Sequence, residues 1–226
     1  MRPSTGSKTS SSWSDTMTTE DVLHQRWLDL RERLQARQLL AADGGSLSLR
    51  LPLGGAMWFG LATDAAPRRV LLAAGTGDSA LHAAAYGARA DVGAIAVGGS
   101  AFGGFLADFG GAMPQAFDEQ ARHLGPMGPA ATRLSDVAPS LRQGGNVLLV
   151  HKRPVCLGTT AMRLALNAEL FEKCAKAWVL AAASGGRVRS LPWIVRAVAN
   201  RRLQRDQQRA AQRFALGLLP EETQGY

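Results

Sequence analysis

The chain has 226 residues, 46% of them apolar, and a formal net charge of +8. That length and apolar content allow one substantial core and exclude a chain that is disordered throughout. No apolar run reaches the roughly 18 residues of a membrane-spanning helix, and two cysteines, Cys156 and Cys174, are too few for a disulfide or metal framework, which points to a reducing, cytoplasmic setting.

Residues 1–17 are rich in Ser and Thr and read as a disordered tail without the apolar region of a secretory signal. Thr18 and Asp21 have the spacing of a capping box. A helix is expected from there to about residue 41, with Leu23, Trp27, Leu30 and Leu34 on one face. Asp43, Gly44 and Gly45 then stop it. Residues 46–51 alternate as a half-buried strand does, and 56–61 form its hairpin partner. A third strand is expected over 69–74. Gly75, Thr76 and Gly77 lead into a helix over 78–89, whose Leu81, Ala84, Ala85 and Ala88 make a narrow face for close packing on a sheet. Residues 92–97 are continuously apolar, the pattern of a central strand covered on both sides. Gly98 and Gly99 follow, then a short apolar helix near 102–109.

A short polar helix is expected over 116–124, whose Asp118, Glu119 and His123 are expected on an exposed face, with the cleft as the alternative. Residues 146–151 read as a buried strand that turns at Lys152, Arg153 and Pro154 into 155–158. A long helix runs from Thr160 to about residue 183, with Leu166, Leu170, Cys174 and Ala177 at helical spacing, and Ser184, Gly185 and Gly186 stop it. Both cysteines read as small buried apolar residues. From Arg187 onward lies a basic helical extension broken by Pro192 and ending near Pro220. Between Arg187 and Arg213 there are eight arginines and one acid, Asp206, so the excess charge belongs to this extension. The expected organisation is a tail over 1–17, one domain over 18–186, and the extension over 187–226.

Four stretches carry a resemblance: GGSLSLRLP, LHAAAYGARADVGAI, FDEQARHLG, and GGNVLLV followed by ELFEKCAKAWVLAAASGG. In order and spacing they resemble the class II aldolase/adducin family across roughly residues 20–186. The resemblance implies an α/β fold: a three-layer α/β/α class II aldolase-like domain with a central mixed, largely antiparallel sheet. Members are commonly cyclic tetramers with active sites between subunits, and the C-terminal segment often packs over a neighbour. The enzymes cleave or rearrange hydroxy-acids and sugar phosphates. They use a divalent metal, usually zinc, to offset charge on an enediolate.

The departures fall at the working positions. The first two metal-binding histidines correspond to Val97 and Gly99. The third corresponds to Lys152, with His151 one place early and Arg153 replacing a glycine. The family's catalytic Glu is Asp78 here, and an Asn of the first strand motif is Ser46. A catalytic zinc needs about three protein ligands, so the zinc is expected to be lost as a cofactor. The candidate site is therefore Asp78 as acid or base, with Ser46, Ser100, Lys152 and Arg153 around a small anion. Asp78 reads more readily as a carboxylate favoured by the start of its helix, and His82 as a packing residue. The glycines at 98, 99, 103 and 104 match no nucleotide-binding pattern.

The leading expectation is a non-catalytic or regulatory oligomer, a homotetramer or a mixed assembly with an active paralogue. The alternative is a metal-independent lyase or decarboxylase acting on a small hydroxy-acid or sugar derivative. The arginine-rich extension matches no nucleic-acid-binding motif, so nucleic acid is not the expected partner.

Overall fold

The computed structural model describes residues 18–52, 55–99 and 101–222. The expected tail over 1–17 and the candidate Ser100 lie outside the described residues.

Helix α1 (Thr19–Ala36) starts at the capping box: the Thr18 hydroxyl accepts from Asp21 N–H at 3.2 Å, and Thr18 N–H donates to the Asp21 carboxylate at 3.0 Å. The helix ends at Ala36, about five residues earlier than the glycines suggest. Gln38 takes a left-handed φ of 57°, Leu39 N–H donates to Leu34 O, and Gln38 N–H donates to Gln35 O. This is a Schellman ending with Gln in the place glycine usually takes. It turns Leu39 and Leu40 into the core.

Six strands follow the order β3-β2-β1-β4-β6-β5. They are β1 (Ser46–Arg50), β2 (Ala56–Leu61), β3 (Arg68–Leu71), β4 (Ala94–Val97), β5 (Val147–Val150) and β6 (Arg153–Gly158). Every neighbouring pair is antiparallel, and a lone parallel bridge joins Ala131 to Val150. The third strand stops at Leu71, and its expected end, Leu72–Ala74, is a 3-10 turn.

The period of two assigns each strand residue to a face. Leu47, Leu49, Ala94, Ala96 and Cys156 pack with Trp27, Leu30, Leu34 and Phe171 of α1 and α5 (Ala161–Ala183). On the other face, Met57, Phe59, Ile95, Val97, Val155 and Leu157 pack with Ala85 and Tyr86 of α2 (Asp78–Ala88) and with Val137 and Leu141. These are the three layers. Trp27 is fully buried and donates its indole N–H to Leu47 O at 3.0 Å. Gly60 has no side chain because a Cβ there would stand 2.6 Å from the Trp27 ring.

A short helix, α3 (Ala101–Phe105), continues as a 3-10 turn to Phe109. The polar helix predicted over 116–124 closes as a wide π turn at Gln120–Leu124. Helix α4 (Val137–Leu141) has no counterpart in the sequence reading, where Pro139 hides it. Helix α6 (Trp193–Ala215) begins after Pro192 rather than running across it. This fits a residue that lacks an N–H and fixes φ. The face of α6 bearing Ala199, Leu203, Gln207, Ala210 and Phe214 is buried against its own chain. Among the described residues no helix is long and apolar enough to cross a membrane.

Candidate functional site

Of the sequence candidates, Ser46, Lys152 and Arg153 come to one end of the sheet, where β4 runs out into Gly98 and Gly99. Ser46 opposes Val97, and Val97 opposes Val155. Gly98 N–H donates to Pro154 O at 2.9 Å, so β6 delivers Arg153 and Lys152 to the same edge. The register pairs Val150 with Arg153, so the turn is the two residues His151 and Lys152, one place earlier than expected. Both have positive φ, 47° and 66°, the signature of a type I′ hairpin. The sequence hides this turn because Pro154 lies inside β6, where proline is uncommon.

These residues face different ways. Lys152 is exposed and pairs with Asp108 at 3.4 Å. The Arg153 guanidinium folds inward against Gly44, so close that a Cβ on Gly44 would stand 2.6 Å from Nη2. That Nη2 is buried and has no hydrogen-bond partner among the described residues. Asp78 is exposed on the first turn of α2, one turn before His82.

Ser46 belongs to a buried polar chain. Its hydroxyl lies 2.8 Å from His82 Nε2, Ser48 Oγ lies 2.8 Å from His82 Nδ1, and Ser48 Oγ lies 2.9 Å from the Tyr86 hydroxyl. His82 is fully buried, and burial pushes its pKa down to about 3. The ring is therefore neutral, with one N–H and one lone pair shared between two serines. Burial also raises Tyr86, so its phenol keeps its proton. The packing role read from sequence for His82 is what the structure shows.

His82 makes a testable contribution to stability. The unfolded chain has an ordinary imidazole that gains a proton below about pH 6.5, and the folded chain resists that proton. The contribution is complete above pH 6.5 and is lost as pH falls toward 3, at about 1.4 kcal/mol per pH unit. Urea midpoints followed down from neutral pH are expected to fall with this added slope. His82→Gln is expected to flatten the profile, and a variant profile parallel to the parent's would refute the assignment.

The rest of that motif is scaffolding as well. Arg89 Nε and Nη2 donate to the two oxygens of Asp91, both at 2.7 Å. Arg89 also donates to Gly145 O at 2.8 Å and Asn146 Oδ1 at 3.1 Å, tying α2 to the start of β5.

One contact was not visible in the sequence. The Glu172 carboxylate of α5 accepts from Phe102 N–H and Gly103 N–H, both at 2.9 Å. The backbone donors beyond the Gly98-Gly99 bend are thus taken by the chain's own carboxylate. Cys156 and Cys174 are buried. Burial pushes their thiols up to about 12 and about 11, so neither is a thiolate at neutral pH.

His123 departs from its predicted exposed face. Gly125 N–H reaches back five residues to Gln120 O, and the extra residue in that turn rotates the face. Helix α6 covers it, leaving His123 buried while Asp118 and Glu119 stay exposed.

No family model and no curated protein matches the amino-acid sequence. Solved structures do match. YgbL from Klebsiella pneumoniae, described as of aldolase/epimerase/decarboxylase type, aligns at 19% identity with a TM-score of 0.68, over 81% of this chain and 100% of that one. L-fuculose 1-phosphate aldolase from Glaciozyma antarctica PI12 aligns at 18% identity with a TM-score of 0.67, over 89% and 92%. An aldolase II superfamily protein from Pseudomonas syringae aligns at 11% identity with a TM-score of 0.63, over 92% and 98%.

The chain has the class II aldolase fold. Within that fold, the three positions that the resemblance assigns to metal ligands do not suit a metal. Val97 is 3% exposed and packs in the core with Ile95 and Val155. Gly99 has a φ of +62°, and a Cβ there would stand 2.5 Å from Pro154 Cγ. Lys152 presents an ammonium, which has no lone pair to donate while it is charged. Among the described residues no group of three His, Cys, Asp or Glu side chains could hold a metal ion.

Proposed function

We propose that this class II aldolase-like protein is a non-catalytic or regulatory member whose zinc chemistry has been lost. It would act in the cytoplasm as a homotetramer or in a mixed oligomer with an active paralogue, as adducin uses the fold without the metal site. The observation that carries this reading is the contact of Gly99 with Pro154. The backbone closes where the second ligand side chain would have to leave it. Val97, buried beside it, supports the same conclusion. Both substitutions have been absorbed into the packing, so the sheet end is a finished structural surface.

The test is the metal content of protein grown with zinc, manganese and iron and purified without chelator. A content far below one metal per chain is expected. One bound metal per chain, displaced by a chelator together with a fall in thermal stability, would overturn the proposal.

A second reading is favoured by Arg153. Its Nη2 is a buried cationic donor without a partner among the described residues, and such a group calls for an anion or a polar ligand. In this reading the protein is a metal-independent lyase acting on a small hydroxy-acid or sugar derivative, in keeping with the aldolase and decarboxylase names of its structural neighbours. Asp78 takes the proton of a hydroxyl β to a carbonyl, the carbon–carbon bond between them breaks to release an aldehyde, and its electron pair passes onto the carbonyl as an enediolate whose charge Arg153 offsets. Lys152, engaged with Asp108 at the surface, is the lesser anion holder. Glycolate titrations together with turnover assays on a small ketose phosphate, whose hydroxyl is β to its carbonyl, separate the two readings. Saturable binding that Arg153→Met abolishes, with turnover that Asp78→Asn abolishes, establishes the lyase. Binding without turnover leaves a regulatory anion site.

A further inference from the structure

Helix α6 has two opposite faces. Ala199, Leu203, Gln207, Ala210 and Phe214 bury one of them. At about 3.6 residues per turn, Trp193, Ile194 and Val198 stand on the other, and they are 70%, 58% and 52% exposed. Arg201, Arg202 and Arg205 continue that outer face and are exposed too. The start of the helix is pinned. Leu191 N–H donates to Gln115 O at 2.8 Å, and the side-chain amides of Gln115 and Asn200 donate to each other at 2.8 Å and 3.2 Å. The three apolar side chains cannot roll inward without breaking these bonds, so only something outside the chain can take them from water.

The charge on this face is of one sign. No Asp or Glu lies between Arg187 and Arg205. Arg187, Arg189, Arg201, Arg202 and Arg205 are exposed and make no ion pair among the described residues. Most carboxylates on α6 and on the segments packed against it are engaged elsewhere. Asp206 accepts from Arg122 at 2.6 Å, Glu221 pairs with Arg213 at 2.7 Å, and Glu119 lies 3.8 Å from Lys173. Glu222 accepts from the Thr160 hydroxyl at 2.6 Å. Even with Glu222 and the exposed Asp118 set against the five arginines, a cationic excess remains.

We propose that the outer face of α6 lies on an anionic lipid bilayer, with Trp193, Ile194 and Val198 in the boundary between headgroups and acyl chains and the following arginines on the lipid anions. A short apolar patch beside a row of cations suits a helix that lies on a membrane rather than one that spans it. Tryptophan fits that boundary because its ring is apolar and its N–H reaches water. Arginine lays its stem along the apolar zone and gives its fork to a phosphate. A single strand of nucleic acid would match the arginines and the indole, but Ile194 and Val198 gain nothing against a phosphate chain. The proposal goes beyond both readings of the sheet end and rests on neither.

The test is co-sedimentation of the full chain with vesicles of phosphatidylcholine containing about one-third phosphatidylserine, a surface that attracts basic segments. Saturable binding is expected, and binding about tenfold or more weaker on pure phosphatidylcholine. Arg201→Gln and Arg205→Gln together are expected to weaken it by about twenty-fivefold, each cation at such a surface being worth about fivefold. Trp193→Ser is expected to weaken it by about tenfold or more through the lost apolar burial. All three side chains are exposed, so the variants keep the fold, which unchanged thermal midpoints check. Tryptophan emission is expected to shift to the blue on vesicles, and the shift to vanish in Trp193→Phe. Arg68→Gln, on the outer strand of the sheet, is the control and is expected to change little. Absence of binding to anionic vesicles, equal binding to neutral ones, variants that bind as the parent does, or an equal loss with Arg68→Gln would each overturn the proposal. So would a single-stranded oligonucleotide that binds more tightly than the vesicles. An oligomer that falls apart in Trp193→Ser without lipid would overturn it as well, by showing that a second copy of the chain covers this face.

Discussion

Replacing Arg89 by methionine is expected to lower stability by about 3–5 kcal/mol, the cost of leaving one member of a buried ion pair alone. The side chains of Arg89 and Asp91 are each 9% exposed. Without the guanidinium, the Asp91 carboxylate stays in the interior with no hydrogen-bonded cation, only the electrostatic influence of Arg50, and Gly145 O and Asn146 Oδ1 lose a donor. The double variant Arg89→Met, Asp91→Leu is expected to recover most of the loss, since apolar groups of similar volume can replace a buried pair at little cost. Urea unfolding checks both, with an unchanged m-value showing that the unfolded state has not moved. A single variant within about 1 kcal/mol of the parent would show that water reaches Asp91 and that the pair is not the tie described.

The second large effect concerns Gly99. Substituting histidine there, the nearest single step toward a metal ligand, is expected to destabilise the protein by about 2–5 kcal/mol and to bring no zinc with it. Two costs combine. A side chain at positive φ costs roughly 1–2 kcal/mol, and forcing atoms into a packed site costs about 1–3 kcal/mol more. The overlap is with the Pro154 ring, at 2.5 Å and 2.7 Å from the added Cβ. Adding Pro154→Ala is expected to return only part of the loss, because the left-handed backbone remains. Thermal midpoints and zinc content measured on the same samples decide it. A stable Gly99→His protein that binds one zinc would show that the ligand set is only a substitution away, against the reading of the sheet end as finished.

Much of the fold was legible because it follows from local rules. The steps from Leu23 to Trp27, Leu30 and Leu34 put four residues on one side of α1, and the structure buries all four. The unbroken apolar run before Gly98 is the central strand it resembled. The misjudged places are where a residue acts against its average tendency. Gln38 ends α1 in a conformation usually left to glycine, and Pro154 sits within a strand. Pro139 lies within α4. The candidate site was legible only as a set of positions. The resemblance groups Ser46, Val97, Gly99 and Arg153 in one site, but does not foretell the inward turn of Arg153 against Gly44. The burial of His123 was beyond it altogether, because it depends on how a helix some 80 residues downstream covers the π turn, and no periodicity records such a contact. Arg122 and Asp206 are 84 positions apart.

Glu172 has a consequence for any ligand that would approach the bend after β4. Its carboxylate is a competitor held in cis, occupying the amides of Phe102 and Gly103. A tethered group of this kind has an effective concentration in the millimolar range or above. A free carboxylate or phosphate at micromolar levels would have to outbind it by a wide margin before it displaced anything. The occupied amides thereby set an affinity threshold, and only a molecule that gains further contacts at Arg153 or beyond can cross it.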